Sequence, residues 1–290
     1  PTAPGNGIEI TDLENLSPQR NFDSAENIVK GNVVKGYTKG IVVRGSFTNI
    51  ITGNVLGDQG TAGIVAEKGT IYFVQELIID GNTIVGPSST DSNNAAIKVD
   101  GARVTIKGNT ISGTTASASG IIVSDDANNK HISILGNNVY NVRGEGIRIK
   151  TGRNIVISNN TVMDGPSSMG IRVFGAVSYV TITDNQVEDC GYAGIRLDSW
   201  TNQPVRDVLI RGNIVKNVSK SAANQPGIQV SQSNGSLDRV SVKDNTIIDD
   251  QGTPTTGAGV AIDGSPTKVE VVGNRVFGIT GSPTAGTTPE

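Results

Sequence analysis

Three arginines recur at one interval. The segments "GIRIK" (146–150), "GIRVF" (170–174) and "GIRLD" (194–198) place Arg148, Arg172 and Arg196 24 residues apart. Guanidinium groups brought together by a repeat repel one another, and solvent screening reduces that cost without removing it. Compensation must come from nearby carboxylates, for which Asp198 and Glu145 are available, or from an anionic ligand. Lys150 adds a further cation, and Phe174, Tyr192 and Trp200 lie in the same stretch with Tyr140 and Tyr179. Arginine forks pair with carboxylates, and sugar rings stack on aromatic faces. A basic strip edged by rings therefore suits an acidic or partly acidic glycan. The plain structural account of the same residues is a solvated strip of salt-bridged strand arginines.

Two catalytic routes are open to these side chains. In a lyase-type route, Arg148, Arg172 or Arg196 neutralises a uronate and Lys150, with a lowered pKa, acts as base. In a hydrolytic route, Asp125, Asp126 or Asp198 supplies acid and nucleophile or base, since glycosidases commonly use two carboxylates. The candidate catalytic set is thus Asp125, Asp126, Lys150, Arg172 and Asp198. The candidate substrate-binding set is Arg148, Arg196, Phe174, Tyr192 and Trp200. Asp125-Asp126 also reads as an ordinary turn. Asp58, Asp164, Asp184, Asp189, Asp244 and Asp249 fall at turn positions of the repeat and read as turn formers.

Other chemistries are bounded by composition. One histidine, His131, rules out a multi-histidine metal site, and one cysteine, Cys190, rules out an internal disulfide framework. His131 opens the strand-like "HISIL" and reads as a surface residue, while Cys190 beside a turn aspartate reads as a buried thiol. No cofactor is implied. The aspartates would suit calcium, but no loop has calcium-ligand spacing. A formal net charge of −3 gives no global basic field for nucleic acid. No apolar run is long enough to span a membrane.

Positioning these groups falls to the repeat. Gly-Ile/Val-x-apolar occurs at Gly7, Gly40, Gly63, Gly120, Gly146, Gly170, Gly194, Gly227 and Gly259, with Ala96 standing in for one glycine. Between these blocks lies apolar-x-apolar-x-x-Asn-x-apolar, with asparagines at 32, 54, 82, 109, 137, 160, 185, 213, 245 and 274. The residue before each asparagine is Gly, Asn or Asp, the types that tolerate positive φ. Turn residues again stand four positions after it. Short period-two strands between tight turns, in repeats of roughly 22 to 33 residues, leave no room for amphipathic helices. The pattern predicts a single-stranded, all-β parallel solenoid of about ten coils. Inward Ile and Val would form core columns, and the asparagines an amide ladder. The 37 glycines and the 4% aromatic content fit a narrow core. On this reading the glycine and isoleucine of "GIR" are structural, whereas the arginine faces outward and is not demanded by the fold.

This repeat, over roughly residues 7–280, resembles the right-handed parallel β-helix superfamily of pectin-lyase-like proteins. That superfamily includes pectate lyases, polygalacturonases, alginate epimerases and phage tailspike depolymerases. The resemblance implies an extracellular or virion-surface setting, a polysaccharide partner and, on the tailspike side, a homotrimer. Polygalacturonases carry an Asp-Asp pair, a Gly-His-Gly and an Arg-Ile-Lys. Asp125-Asp126 and Arg148-Ile149-Lys150 are similar in wording, but Gly-His-Gly is missing, as is the Asp-Pro-His-Glu of alginate epimerases. The expected division is an incomplete first coil with its leading loop over 1–26, the β-helix over 27–280, and a linker-like tail over 281–290. Both ends read as those of a fragment, with no capping helix. The leading function is binding and cleavage of an extracellular, possibly acidic polysaccharide by a lyase or hydrolase. The competing one is a non-catalytic β-helical shaft or adhesin module.

Overall fold

The computed structural model describes residues 5–11, 27–69, 74–200 and 202–286. All regular elements among them are β-strands. Equivalent strands of successive coils pair in parallel to form three long sheets of eleven, ten and ten strands, and Ser88–Ser89 pairs with Thr115–Ala116 as a separate short sheet. The first sheet gathers the Gly-Ile-x-apolar blocks, among them Ile147–Ile149, Ile171–Phe174 and Ile195–Ser199. The second gathers the apolar-x-apolar stretches, such as Gly152–Ser158 and Val177–Thr183. The third holds the three residues after each asparagine, such as Asn138–Tyr140 and Thr161–Met163. Thr284–Gly286, inside the stretch expected to be linker-like, pairs with Val260–Ile262 as the last strand of the first sheet. Of the leading segment, Asn6–Thr11 pairs with Lys39–Arg44, and residues 12–26 lie outside the described residues.

The inward columns are those the repeat predicts. Ile121, Ile147, Ile171, Ile195 and Ile228 stand in register on neighbouring coils and are fully buried. Each such side chain contributes roughly 1.5–3 kcal/mol by leaving water. The glycine before each is required by close approach. A Cβ on Gly170 would lie 2.2 Å from Val187 Cγ1 and 2.7 Å from the Gly194 carbonyl of the next coil.

The asparagine column forms a continuous ladder. From Asn32 to Asn245, each backbone N–H and Nδ2 donates to the Oδ1 of the asparagine one coil on, as from Asn137 to Asn160 at 2.9 Å for both. Each interior Nδ2 also donates to a strand carbonyl of the preceding coil, as Asn160 does to Ile134 at 2.9 Å. The ladder therefore satisfies backbone and side-chain groups that the turn would otherwise bury unpaired. The residues before these asparagines all have positive φ, including Asn159, Asp184 and Asp244. A further positive-φ column runs through Thr48, Glu76, Arg103, His131, Asn154, Tyr179, Asp207, Arg239 and Lys268, at the corner between the first two sheets. Apart from Asn154 and Asp207 its side chains carry no turn signature, so the corner imposes that conformation.

One sequence expectation needs refining. The outward column of the first sheet is in register as read, with Ile122 beside Arg148 and Arg148 beside Arg172. Outward does not mean exposed, however, because Val42, Val65 and Ile122 are buried.

Candidate functional site

Register places Arg148, Arg172 and Arg196 side by side on three adjacent coils. Their mutual repulsion is met by two carboxylates that interleave with them. Glu145, in the turn before its strand, accepts from Arg148 Nη1 at 3.1 Å and Arg172 Nη1 at 3.2 Å. Asp198, two residues beyond Arg196, accepts from Arg172 Nε at 3.0 Å and Arg196 Nε at 2.6 Å. The order Arg148, Glu145, Arg172, Asp198, Arg196 alternates charge along the solenoid axis. Asp198 is fully buried, and Glu145 and Arg148 nearly so. Buried ions are tolerated only when paired and hydrogen-bonded, and here each carboxylate oxygen has a cationic partner.

Rings complete the frame. The Arg172 guanidinium carbon lies 4.5 Å from the Phe174 ring centroid and 5.7 Å from that of Trp200. The two rings are 5.2 Å apart and tilted by 46°. Phe174 is buried, while Trp200 keeps 48% of its surface exposed. Arg172 is thus held by two carboxylates and two aromatic rings at once.

This frame forms one side of a cleft of about 420 Å³. Arg143, Arg148, Lys150 and Arg172 face it with the single carboxylate of Glu145, and Phe174 and Trp200 form a wall. Serine hydroxyls and Asn93 complete the lining. Four cations against one carboxylate give the cleft a positive field within an acidic chain. Burial tends to raise the Glu145 pKa, but Arg148 and Arg172, with a backbone hydrogen bond, outweigh it and hold the carboxyl below its usual range. Burial, and then Arg148, lower the pKa of Lys150, with Asp125 opposing. The Lys150 ammonium donates to Asn93 Oδ1 at 2.6 Å.

The sequence candidates divide accordingly. Lys150, Arg148, Arg172, Phe174 and Trp200 share the cleft. Asp198 supports it from beneath, with both oxygens occupied by arginines. Arg196 and Tyr192 do not line it; the Tyr192 backbone N–H donates to the carbonyl of Ser168, a cleft residue. Asp125 and Asp126 lie outside it as well. Asp125 accepts from Thr151 Oγ1 at 2.6 Å, and Asp126 caps the backbone and side chain of Asn128 at 2.7 and 2.8 Å. Glu145 entered the sequence reading only as a counter-charge, and Arg143 and Asn93 not at all. Arg143 and Glu145 immediately precede "GIRIK" and were within reach of a wider motif. Asn93 acts across 55 and 57 residues, to Arg148 and Lys150, and no local pattern marks it.

Fold and cleft together define a right-handed parallel solenoid with one cationic, aromatic-walled groove on its first sheet. The chain belongs to the family described as the right handed beta helix region, whose model matches residues 95–276. A second family model, described as periplasmic copper-binding protein (NosD), matches residues 5–142. Among the described residues no group of three or more His, Cys, Asp or Glu side chains is arranged to hold a metal ion, and these residues do not fit a copper site of that kind. No curated protein matches the chain.

Solved structures share the fold at low identity. PfbA, a surface adhesin of Streptococcus pneumoniae, aligns with a TM-score of 0.64 and 16% identity over 84% of this chain and 64% of that one. This chain thus spans less than two thirds of the adhesin structure. An alginate lyase from Paenibacillus sp. str. FPU-7 aligns at 0.57 and 13% identity over 90% and 99%. The mannuronan C-5 epimerase AlgE4 A-module of Azotobacter vinelandii aligns at 0.56 and 13% over 98% and 84%. At such identities the likeness is one of fold, and function belongs to sites grafted on folds. No helix among the described residues is long and apolar enough to cross a membrane.

Proposed function

We propose that the cleft binds an acidic extracellular polysaccharide and cleaves it by β-elimination. The supporting observation is the Lys150 ammonium, disfavoured by burial and by Arg148, in a cleft with cations in excess and an exposed tryptophan wall. A sugar ring stacks on Trp200, and a uronate carboxylate meets the Arg148 guanidinium with the neutral Lys150 amine beside it. Neutral Lys150 removes the proton next to that carboxylate. The resulting carbanion, stabilised by the neighbouring guanidinium, expels the glycosidic oxygen with its bonding pair. A double bond forms in the sugar, and the departing oxygen takes up a proton. Hydrolysis fits the geometry less well. It needs two carboxylates flanking the bond, and Glu145, the one carboxylate lining the cleft, is ionised and held by two arginines. Every group in this scheme comes from one chain, so it does not depend on a trimer.

A second reading, a non-catalytic adhesin or shaft module, is favoured by the mutual pairing of Arg148, Glu145, Arg172, Asp198 and Arg196, which leaves the cluster electrostatically satisfied without turnover. The test is incubation with alginate, polygalacturonate and neutral glucans, following ultraviolet absorbance of unsaturated uronate and release of reducing ends. Absorbance from an acidic polymer, lost in Lys150→Ala and Arg172→Ala, supports elimination. Reducing ends without absorbance would replace it by hydrolysis. Binding without either product would leave the adhesin reading.

A further inference from the structure

Asn93 holds an unusual position. Its loop begins one coil before the strand Ser119–Val123, yet its side chain reaches Lys150 and Arg148 one coil beyond that strand. Asn93 Oδ1 accepts from Lys150 Nζ at 2.6 Å and from Arg148 Nη2 at 3.3 Å. Two cations thus converge on one neutral amide oxygen. Asn93 is held there by its own neighbour, since its backbone N–H and Nδ2 donate to Asp91 Oδ1 at 2.8 and 3.0 Å.

The guanidinium of Arg148 shows what the position is suited to. Nη1 is committed to Glu145. The opposite edge, formed by Nε and Nη2, is the fork that takes a carboxylate side-on with two parallel bonds. Asn93 fills only half of it. Arg148 Nε is buried and has no hydrogen-bond partner, and Arg148 itself is only 4% exposed. An amide oxygen is a single neutral acceptor, whereas a carboxylate would occupy both nitrogens and keep an oxygen at Lys150. Charge-assisted bonds are roughly twice as strong as neutral ones, and a buried donor left unpaired is costly.

We infer that Asn93 is an internal stand-in for the ligand's carboxylate, so that a uronate enters the Arg148–Lys150 slot by displacing the Asn93 side chain. This rests on the acidic-ligand reading of the cleft and adds to it a specificity-determining residue that gates the slot. It assigns the carboxylate to one edge of one arginine and makes binding a competition between segment and ligand.

The experiment compares wild type, Asn93→Ala and Asn93→Asp by calorimetric titration. The probes are free galacturonate, galactose as its neutral counterpart, and an oligogalacturonate, with circular dichroism to confirm folding. Asn93→Asp supplies the carboxylate internally, although it exchanges the Nδ2 bond to Asp91 for repulsion, and its galacturonate affinity is expected to fall at least about tenfold. Asn93→Ala removes the competitor, and galacturonate binding is expected to tighten by about threefold or more. Galactose binding should follow neither trend. Weaker galacturonate binding by Asn93→Ala, or unchanged binding by Asn93→Asp, would overturn the inference while leaving the acidic-polysaccharide reading intact. Galacturonate bound with the expected pattern, but no oligosaccharide bound by any variant, would overturn that reading and keep the slot. No uronate bound by any variant would overturn both.

Discussion

Arg172 and Asp198 sit one coil apart, and the Arg172 Nε donates to Asp198 Oδ2 at 3.0 Å from a carboxylate with no solvent exposure. Asp198 also holds Arg196 through its other oxygen. An aspartate that reads in the sequence as a possible catalytic acid is, in the fold, the fixed point from which two arginines are aimed.

Neutralising that point should therefore be costly for structure. Asp198→Asn keeps the shape but leaves Arg196 without its counter-charge and Arg172 with Glu145 alone. Breaking one partner out of a buried ion network costs about 3–5 kcal/mol. Denaturant unfolding should show a loss of that order. A loss under about 1 kcal/mol would mean that solvent reaches the arginines and replaces the aspartate.

The inward and outward assignments can be separated on neighbouring residues. Ile195 is fully buried in the core, whereas Arg196 faces out and is partly exposed. Ile195→Asp places a charge among apolar side chains and should unfold the chain or the surrounding coils, a cost of more than about 4 kcal/mol. Arg196→Ala should leave the chain folded, with Arg172 still paired to Asp198. Circular dichroism and limited proteolysis of the two variants check this, and equal damage would refute the assignment.

The amide ladder gives a position-dependent result. Asn160→Leu removes the acceptor for both Asn137 donors and the donor to the Ile134 carbonyl. Buried groups left unpaired cost about 1–3 kcal/mol each. Asn32 begins the described ladder, is partly exposed and donates to Asn54. Asn32→Leu should cost less than Asn160→Leu, as read by thermal midpoints. Equal losses would mean that the ladder acts as one cooperative unit to its end.

Two groups give separate pH signatures, one in stability and one in rate. The folded-state pKa of Glu145 is depressed, so its contribution to stability is present above its unfolded pKa and lost as pH falls through the lower folded value. Glu145→Gln should flatten the acid limb of the stability curve measured by thermal unfolding. The lowered Lys150 pKa acts on rate. The neutral base is required for elimination, so activity should rise with pH and level off below the ordinary lysine value of about 10.4. An elimination rate independent of pH through that range would remove Lys150 as base.

The solenoid is legible in the amino-acid sequence alone. A period-two run of Ile and Val, a glycine that must pass close to the next coil, and an asparagine after a positive-φ residue are local requirements repeated on every coil, so the text shows them directly. Register followed as well, because identical turns stack identical positions, and Arg148, Arg172 and Arg196 became neighbours as their spacing implied. The sequence could not say which outward residues meet water. Ile122 and Lys150 occupy outward positions alike, yet Ile122 is buried. That Glu145 and Asp198 are committed to arginines, that Asp125 and Asp126 stay outside the cleft, and that Asn93 reaches Lys150 from 57 residues away emerges only in the folded chain. The physical reason is that strands obey a repeating short-range rule, whereas the loops that cover them differ from coil to coil. Their contacts depend on long-range packing, which has no period to read.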